Sequence, residues 1–141
     1  MAANTNTDGN LKAAFAGESQ ANRRYLFFAE KADQEGQPQV ARLFRAAAAA
    51  ETVHAKKHFS VMNGAGATKD NLTAAVAGEF HEFSEMYPAF IKEAENEDNV
   101  KAVVSFGRAN SVEKVHHALF EAALKALETN QPLKAEAFYV C

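Results

Sequence analysis

The chain is poor in the residues that mark secreted and membrane proteins. Its 141 residues include one cysteine, no tryptophan, three prolines and seven glycines. One cysteine excludes an internal disulfide, and no apolar run approaches the roughly 20 residues that a membrane helix needs. The first ten residues lack the basic and apolar segments of a secretory signal. These absences predict a cytoplasmic protein with no membrane partner.

The chain also has only a small excess of acidic over basic residues. The formal net charge is -3 and no basic stripe occurs, which makes nucleic acid and anionic membranes poor candidate partners, and we expect neither. Hydrophobic residues make up 48% of the chain, and with few helix breakers this favours one all-α domain. We expect a disordered segment over residues 1–10, a four-helix domain over residues 11–130 and a loose tail over residues 131–141.

Apolar residues recur with helical period in four segments, which predicts four helices. Gly36 and Pro38 end the first helix, and the second runs over residues 39–62. Residues 63–68, Asn-Gly-Ala-Gly-Ala-Thr, form a stop signal.

The third helix is predicted to begin near Lys69 or Asp70, with Asp70 or Thr68 as its N-cap. Pro88 is expected to kink it one turn beyond the candidate site. The fourth helix is predicted over residues 99–129.

The most informative pattern is a Glu-x-x-His pair that occurs twice, as Glu51-Thr-Val-His54 and Glu113-Lys-Val-His116. Side chains at i and i+3 of a helix project from the same face, so both members of a pair can reach one metal ion. The two pairs therefore indicate two copies of one metal-binding helical hairpin.

A further glutamate precedes each pair in the same Ala-Gly-Glu context, Glu18 before the first and Glu79 before the second. Carboxylate-bridged four-helix proteins use one Glu from each of two helices and a Glu-x-x-His from each of the other two. Glu82, three residues after Glu79 on the same face, is an additional candidate. The predicted metal ligands are Glu18, Glu51, His54, Glu79, Glu82, Glu113 and His116.

A charged residue within an apolar stripe is costly to bury unless it is paired or binds a metal. Taken alone, any one of these glutamates is better explained as a solvated or salt-bridged residue. All four predicted helices, however, carry a glutamate in the middle of the apolar stripe. This coincidence favours a metal site.

The other histidines are weaker candidates. His58 is best explained as a core or partly exposed imidazole, and His81 as a surface residue. His117 follows His116 directly and competes with it for the role of ligand. The internal repeat aligns His54 with His116, which favours His116.

Tyr25 and Tyr87 lie about two turns after the first glutamate of their hairpins. Core packing and a hydrogen bond to a ligating carboxylate are equally good interpretations of both tyrosines.

Four segments resemble the motifs of rubrerythrins, in order and at matching spacing. They are residues 16–25 (AGESQANRRY), 51–54 (ETVH), 78–88 (GEFHEFSEMYP) and 113–116 (EKVH). The resemblance extends from Leu11 to about Val140, and the string at 78–88 is highly specific. It implies a ferritin-like bundle with two iron ions that reduces hydrogen peroxide to water in oxidative-stress defence.

The resemblance also implies roles for single residues. In the family, one iron exchanges a histidine ligand in the reduced state for a carboxylate in the oxidised state, and the matching residues here are His54 and Glu82. A ferric ion gains more from an anionic oxygen than a ferrous ion does, which makes the exchange physically reasonable. Tyrosines that match Tyr25 and Tyr87 hydrogen-bond around the metal ligands.

Typical rubrerythrins continue after a Tyr-x-Cys string into a small iron domain with four cysteines, which supplies electrons. Here Tyr139-Val-Cys141 resembles the beginning of that domain, in a sulerythrin-like arrangement. Either the sequence is a piece of a longer chain, or electrons arrive from a separate donor such as rubredoxin or a reductase. One thiolate cannot hold iron alone, so we expect no rubredoxin-type site.

The connection between the second and third helices is short for a ferritin-like bundle, in which these helices are parallel. A helix of about 24 residues is roughly 36 Å long, whereas eight linker residues span at most about 29 Å. Exchange of hairpins between two chains solves this problem. We therefore predict a hairpin-swapped homodimer.

Two other functions stay open. A ferroxidase-like iron-handling protein would use the same ligands to oxidise ferrous iron, and a metal-free helical interaction module would use none of them. The ligand set suits iron or manganese, and zinc can substitute. The sequence also leaves open whether peroxide or oxygen is the main substrate.

Overall fold

The computed structural model describes residues 6–134, 138 and 140. All regular elements in these residues are helical, which confirms the predicted all-α class, and none of the helices is long and apolar enough to cross a membrane. In chain order they are α1 (Asn6–Gln34), α2 (Pro38–Val61), α3 (Thr68–His81), a π-helical segment (Glu82–Met86), α4 (Tyr87–Asn96) and α5 (Val100–Glu128).

The chain forms two compact units that divide between Ala65 and Gly66. In the first, α1 packs against α2; in the second, α3, the π segment and α4 pack against α5. Each unit is one helical hairpin, as the repeat in the sequence predicts. They are called the first hairpin and the second hairpin below.

Small side chains bring α1 and α2 close together. Buried alanines recur every seven residues on α2, and the first of them, Ala41, packs with Ala29 and Ala32 of α1 and with Phe44. In the described part of the chain, no side chain larger than alanine is buried, and Leu43 is 68% exposed. Large apolar side chains therefore remain uncovered in a single chain. The buried alanines of this hairpin are Ala21, Ala29, Ala32, Ala41, Ala48 and Ala55.

Four helices end in the same way, with one residue in the left-handed region. These residues are Gly36, Asn63, Asp98 and Asn130, with φ between 52° and 70°. The N–H of the following residue donates to the carbonyl five residues before it, at 2.8 to 2.9 Å. This pattern satisfies carbonyls at the end of each helix and explains why the chain turns at these points.

The N-terminal boundary differs from the sequence prediction. Residues 6–10, which we expect to be disordered, belong to α1, and Asp8 in the first turn interacts favourably with the helix dipole. Residues 1–5 lie outside the described residues. So do Tyr139 and Cys141 of the predicted tail, while residues 131–134 have no helix or strand.

The third predicted helix also differs in detail. It begins at Thr68, with Ala67 as N-cap and no side-chain cap, so neither Thr68 nor Asp70 has the predicted capping role. Asp70 lies in the first turn instead, where its charge favours the helix dipole.

The distortion at Pro88 begins earlier than expected. The π segment starts at Glu82, and the α-helix resumes at Tyr87 with Pro88 in its first turn. The N–H of Tyr87 donates to the carbonyl of Glu82, five residues back. Because proline has no N–H and its ring crowds the preceding turn, the helix widens on the N-terminal side of Pro88. The irregular segment therefore includes a predicted metal ligand.

Candidate metal centre

The first hairpin brings Glu18 of α1 next to Glu51 and His54 of α2. One ligand atom from each residue lies within 4.8 Å of the others. Nδ1 of His54 is 3.0 Å from Oε2 of Glu51 and 3.9 Å from Oε2 of Glu18. The i, i+3 spacing places two of these side chains on one face of α2, and α1 supplies the third.

The second hairpin repeats this geometry with Glu79 of α3 and with Glu113 and His116 of α5. Again one ligand atom from each residue lies within 4.8 Å of the others. Nδ1 of His116 is 2.7 Å from Oε2 of Glu113 and 3.6 Å from Oε2 of Glu79. Six of the seven predicted ligands thus form two matched clusters.

The carboxylates lie deeper than the imidazoles in both clusters. The side chains of Glu51 and Glu113 are 18% and 14% exposed, whereas those of His54 and His116 are 55% and 45% exposed. Each histidine turns Nδ1 towards the carboxylates, which leaves Nε2 on the outer side of the ring. Each cluster therefore has carboxylates at its base and one imidazole at its rim.

Glu18 and Glu51 interact directly, and this interaction shifts the pKa of each carboxyl group in opposite directions. The pKa of Glu18 is raised, chiefly because its carboxyl group hydrogen-bonds to Glu51, and burial adds to the rise. The pKa of Glu51 is lowered, first because it accepts the hydrogen bond from Glu18 and then because it bonds His54. A divalent cation bound between these carboxylates would require both of them to be deprotonated.

Glu79 is the least satisfied carboxylate of the second cluster. Burial raises its pKa, and the charge of Glu113 raises it further. Its Oε2 atom is buried and has no hydrogen-bond partner. A buried oxygen without a partner is unfavourable, and a cation bound between Glu79 and Glu113 would satisfy it. The cluster therefore fits a metal ion.

Glu82 lies outside the second cluster but close to it. It is partly buried at the start of the π segment. Its charge contributes to the raised pKa values of Glu79 and Tyr87. The seventh predicted ligand is therefore within electrostatic range of Glu79.

Tyr25 packs within an aromatic group of the first hairpin. Its ring centre is 6.3 Å from that of Phe28 and 6.1 Å from that of Phe44. This contact agrees with the core-packing interpretation of Tyr25.

Tyr87 packs in the same manner in the second hairpin, with ring centres 6.4 Å from Phe90 and 6.2 Å from Phe106. Burial raises the pKa of its hydroxyl, and the charge of Glu113 raises it next. Tyr87 is therefore both a packing residue and a neighbour of the carboxylates.

The structure separates His117 from the metal cluster. Its ring packs against Phe80 and Phe83, and its Nδ1 lies 3.1 Å from the main-chain oxygen of Val76. The choice of His116 over His117 agrees with this geometry. His81 is exposed and pairs with Glu85 on the surface, as expected.

A polar contact beside the first cluster was not predicted. The side-chain amide of Asn22 donates to the main-chain oxygen of Ala48 at 2.7 Å and to Oγ1 of Thr52 at 2.8 Å. Asn22 lies on the inward stripe of α1 beside Ala21, so a polar residue among apolar neighbours was the signal in the sequence.

Known proteins resemble this chain along most of its length. The family model described as Rubrerythrin matches residues 9–124. Rubrerythrin-2 of Clostridium acetobutylicum is 36% identical over 152 residues, which cover 98% of this chain and 83% of the relative. Rubrerythrin of Porphyromonas gingivalis is 39% identical, over 86% of this chain and 68% of the relative.

Nigerythrin of Nitratidesulfovibrio vulgaris is 38% identical, over 94% of this chain and 71% of the relative. A solved structure of nigerythrin in a mixed-valence state is 35% identical, covers 100% of this chain and 85% of that chain, and has a TM-score of 0.48. From the family match and the identities to the curated relatives, this chain belongs to the rubrerythrin family.

Proposed function

We propose that this protein is a hydrogen-peroxide reductase, a peroxidase that works with two iron ions. The proposal is carried by the pair of matched three-ligand clusters, one in each hairpin, in a chain of the rubrerythrin family. Oxygen and imidazole ligands suit iron, and manganese or zinc can occupy such sites as substitutes. The ligands in this proposal are Glu18, Glu51, His54, Glu79, Glu82, Glu113 and His116.

Iron bound at this site would supply the two electrons needed to reduce hydrogen peroxide, with two protons, to two water molecules. The four deeper carboxylates would hold the ions. The pKa of Glu18 is raised chiefly by its hydrogen bond to Glu51, and metal binding would require both carboxylates to be deprotonated.

His54 and Glu82 are proposed to exchange as ligands when the iron changes its oxidation state. Two features of the hairpins support this assignment. His54 lies at the exposed rim of its cluster, at 55% exposure, and Glu82 begins a π segment. Such segments occur frequently at functional sites, and their hydrogen bonding is less regular than that of an α-helix. Both groups therefore have room to move.

Tyr25 and Tyr87 are proposed to orient the carboxylates. Their rings are fixed by phenylalanine neighbours. The raised pKa of Tyr87 keeps its hydroxyl protonated at neutral pH, so it can donate a hydrogen bond to a carboxylate oxygen.

We further propose that the complete site is formed in a hairpin-swapped homodimer. The segment between α2 and α3 is residues 62–67, and six residues span at most about 22 Å. The 24 residues of α2 extend roughly 36 Å. Large apolar side chains that stay exposed in one chain, such as Leu43 and Val104, would be covered by the second copy. In this dimer, each site takes its first hairpin from one chain and its second hairpin from the other.

The reaction also requires electrons to re-reduce the iron. We propose a separate donor, such as rubredoxin or a reductase, and a cytoplasmic role in defence against peroxide. Family membership and the electron count of the reaction support the separate donor and the role in peroxide defence.

Turnover tests the proposed function. The protein would be loaded with two ferrous ions per site and mixed with hydrogen peroxide and an excess of a reductant. Many peroxide molecules reduced per site, at a constant content of two irons, support a peroxidase. Progressive uptake of many ferric ions per chain, without catalytic loss of peroxide, would instead support the ferroxidase-like function.

A further inference from the structure

Each metal cluster lies beside one hydrogen bond that joins the two helices of its hairpin through a side chain and a main-chain carbonyl. In the first hairpin, Asn22 of α1 donates to the carbonyl of Ala48 in α2 at 2.7 Å. In the second hairpin, Nδ1 of His117 in α5 lies 3.1 Å from the carbonyl oxygen of Val76 in α3. Both contacts are partly buried, so each is shielded from competing water.

The two contacts occupy equivalent positions relative to the predicted ligands. Asn22 follows Glu18 by four residues, and Ala48 precedes Glu51 by three. Four and three residues are each about one helical turn. The two helices of a hairpin are antiparallel. A residue one turn after a ligand on one helix therefore lies level with a residue one turn before the facing ligand on the other helix.

The second hairpin has the same offsets with the helices exchanged. His117 follows Glu113 by four residues, and Val76 precedes Glu79 by three. Unrelated side chains, an amide and an imidazole, thus make the same kind of bond at the same distance from a carboxylate ligand. We propose that Asn22 and His117 are positioning residues that fix the register of the two helices and thereby set the geometry of each metal cluster.

The packing of the first hairpin explains why a register bond is needed. Its fully buried residues are alanines, which permit close approach but have no long side chains to interlock. The aromatic rings that meet across this interface, such as Tyr25 and Phe44, are only partly buried. A slip of one turn would move Glu18 by about 5.4 Å relative to Glu51, whereas a working metal site requires its ligands within about 0.5 Å of their positions. The directional bond from Asn22, reinforced by its contact with Thr52 Oγ1 at 2.8 Å, resists that slip.

Aromatic packing accompanies the bond in the second hairpin. The ring of His117 contacts Phe80 and Phe83, with ring centres at 5.7 and 5.3 Å. These contacts hold the imidazole in place, and Nδ1–H is the atom that donates to Val76. His117 therefore acts on the metal site through the α3 backbone rather than as a ligand.

Each hairpin also contains a remote polar contact that serves as a matched control. Arg45 pairs with Asp33 across α1 and α2, and Lys69 pairs with Glu128 across α3 and α5 at 2.8 Å. None of these four residues belongs to a metal cluster. If Asn22 and His117 only stabilise the fold, their removal will act like the removal of these remote pairs.

Cobalt(II) binding by the metal-free full-length protein tests the inference, with the visible absorption of bound Co²⁺ and calorimetry as readouts. Asn22→Ala and His117→Phe should each weaken binding by about tenfold or more, as loss of residues that orient metal ligands typically does, and should change the absorption bands. Thr52→Val should have a smaller effect than Asn22→Ala. His117→Gln, which keeps an N–H donor, should recover most of the affinity that His117→Phe loses.

The controls Arg45→Ala and Lys69→Ala should leave the cobalt affinity within about twofold of the unmodified protein, even where urea unfolding shows an equal loss of stability. Equal cobalt affinity in Asn22→Ala, His117→Phe and the controls, at equal losses of stability, would overturn the inference. The inference rests on the proposed metal site but not on peroxidase activity. If the unmodified protein binds no cobalt, both the proposed metal site and the inference fail. If it binds cobalt and Asn22→Ala and His117→Phe bind it equally well, only the inference fails.

Discussion

Nδ1 of His116 lies 2.7 Å from Oε2 of Glu113, one turn earlier on α5. The same relationship occurs in the first hairpin, where Nδ1 of His54 lies 3.0 Å from Oε2 of Glu51 on α2. The repeat of the Glu-x-x-His pair in the sequence is thus also a repeat in geometry. In both cases a glutamate from the other helix of the hairpin completes the cluster. Each hairpin therefore contains one three-residue cluster that could hold a metal ion.

Removal of the deeper glutamates should abolish metal binding. Glu51→Ala and Glu113→Ala each remove the carboxylate that contacts the neighbouring histidine. We expect the bound iron, measured by atomic emission after gel filtration, to fall from two ions per site to less than one. Glu35→Ala is the control, because the side chain of Glu35 forms an exposed ion pair with Lys31 and belongs to neither metal cluster. Full iron content in Glu113→Ala would contradict the proposed ligand set.

Substitution of Glu82 should change the rate of reaction with peroxide more than it changes the amount of bound metal. If it is the ligand of the oxidised state, Glu82→Ala will keep two ferrous ions but react with peroxide about tenfold more slowly. Glu85→Ala is a close control, since Glu85 lies in the same π segment and pairs with His81 on the surface. Stopped-flow oxidation of the diferrous variants makes the comparison. Equal rates for both variants would argue against a role for Glu82.

The stability of the metal-free protein should depend on pH because of Glu79. Burial raises the pKa of Glu79 above 4.5, so its contribution to stability is fully present below pH 4.5 and is lost as pH rises through the raised value. Glutamine carries no charge to bury. Glu79→Gln should therefore unfold at higher urea concentration than the unmodified protein at pH 7, and this difference should shrink at pH 4.

Urea unfolding in the presence of a chelator measures this effect, with Glu85→Gln as an exposed control. A stability difference that is as large at pH 4 as at pH 7 would show that burial of the Glu79 charge is not its cause.

Complementation between two defective chains tests the hairpin swap. Glu51→Ala damages the first hairpin, and His116→Ala damages the second. In a swapped heterodimer of these variants, one site combines two intact hairpins and the other combines two damaged ones. Random mixing of chains makes half of the dimers mixed, so about a quarter of the normal number of metal sites should return. If each chain closes its own site, mixing the variants will restore none.

The fold was largely predictable, because amphipathic period and helix-ending signals act locally. The Gly36 turn and the end of α2 at Val61 agree closely with the sequence prediction. The start of the π segment at Glu82 was not predictable to the residue, since it depends on how far the distortion from Pro88 spreads along the helix. A local rule places a distortion near proline but does not give its extent.

The contacts of the candidate site were also only partly predictable from the sequence. Glu51 and His54 share a face through spacing alone, so their proximity follows from the sequence. The bond from Asn22 to the Ala48 carbonyl depends on the register of two helices, which no spacing within one helix determines. His117 illustrates the same limit: the repeat argued against it as a ligand, but only the packed hairpin gives it a partner at Val76.

A comparison of two oxidants tests most directly whether the protein is a peroxide reductase. The diferrous protein, with two irons in each site, is mixed in parallel with hydrogen peroxide and with oxygen in a stopped-flow instrument, and oxidation of the iron is followed by absorbance. We expect peroxide to oxidise the site much faster than oxygen does, and the oxidised site to return to the diferrous state when a reductant is added. A peroxide rate no faster than the oxygen rate would contradict the assignment as a peroxide reductase.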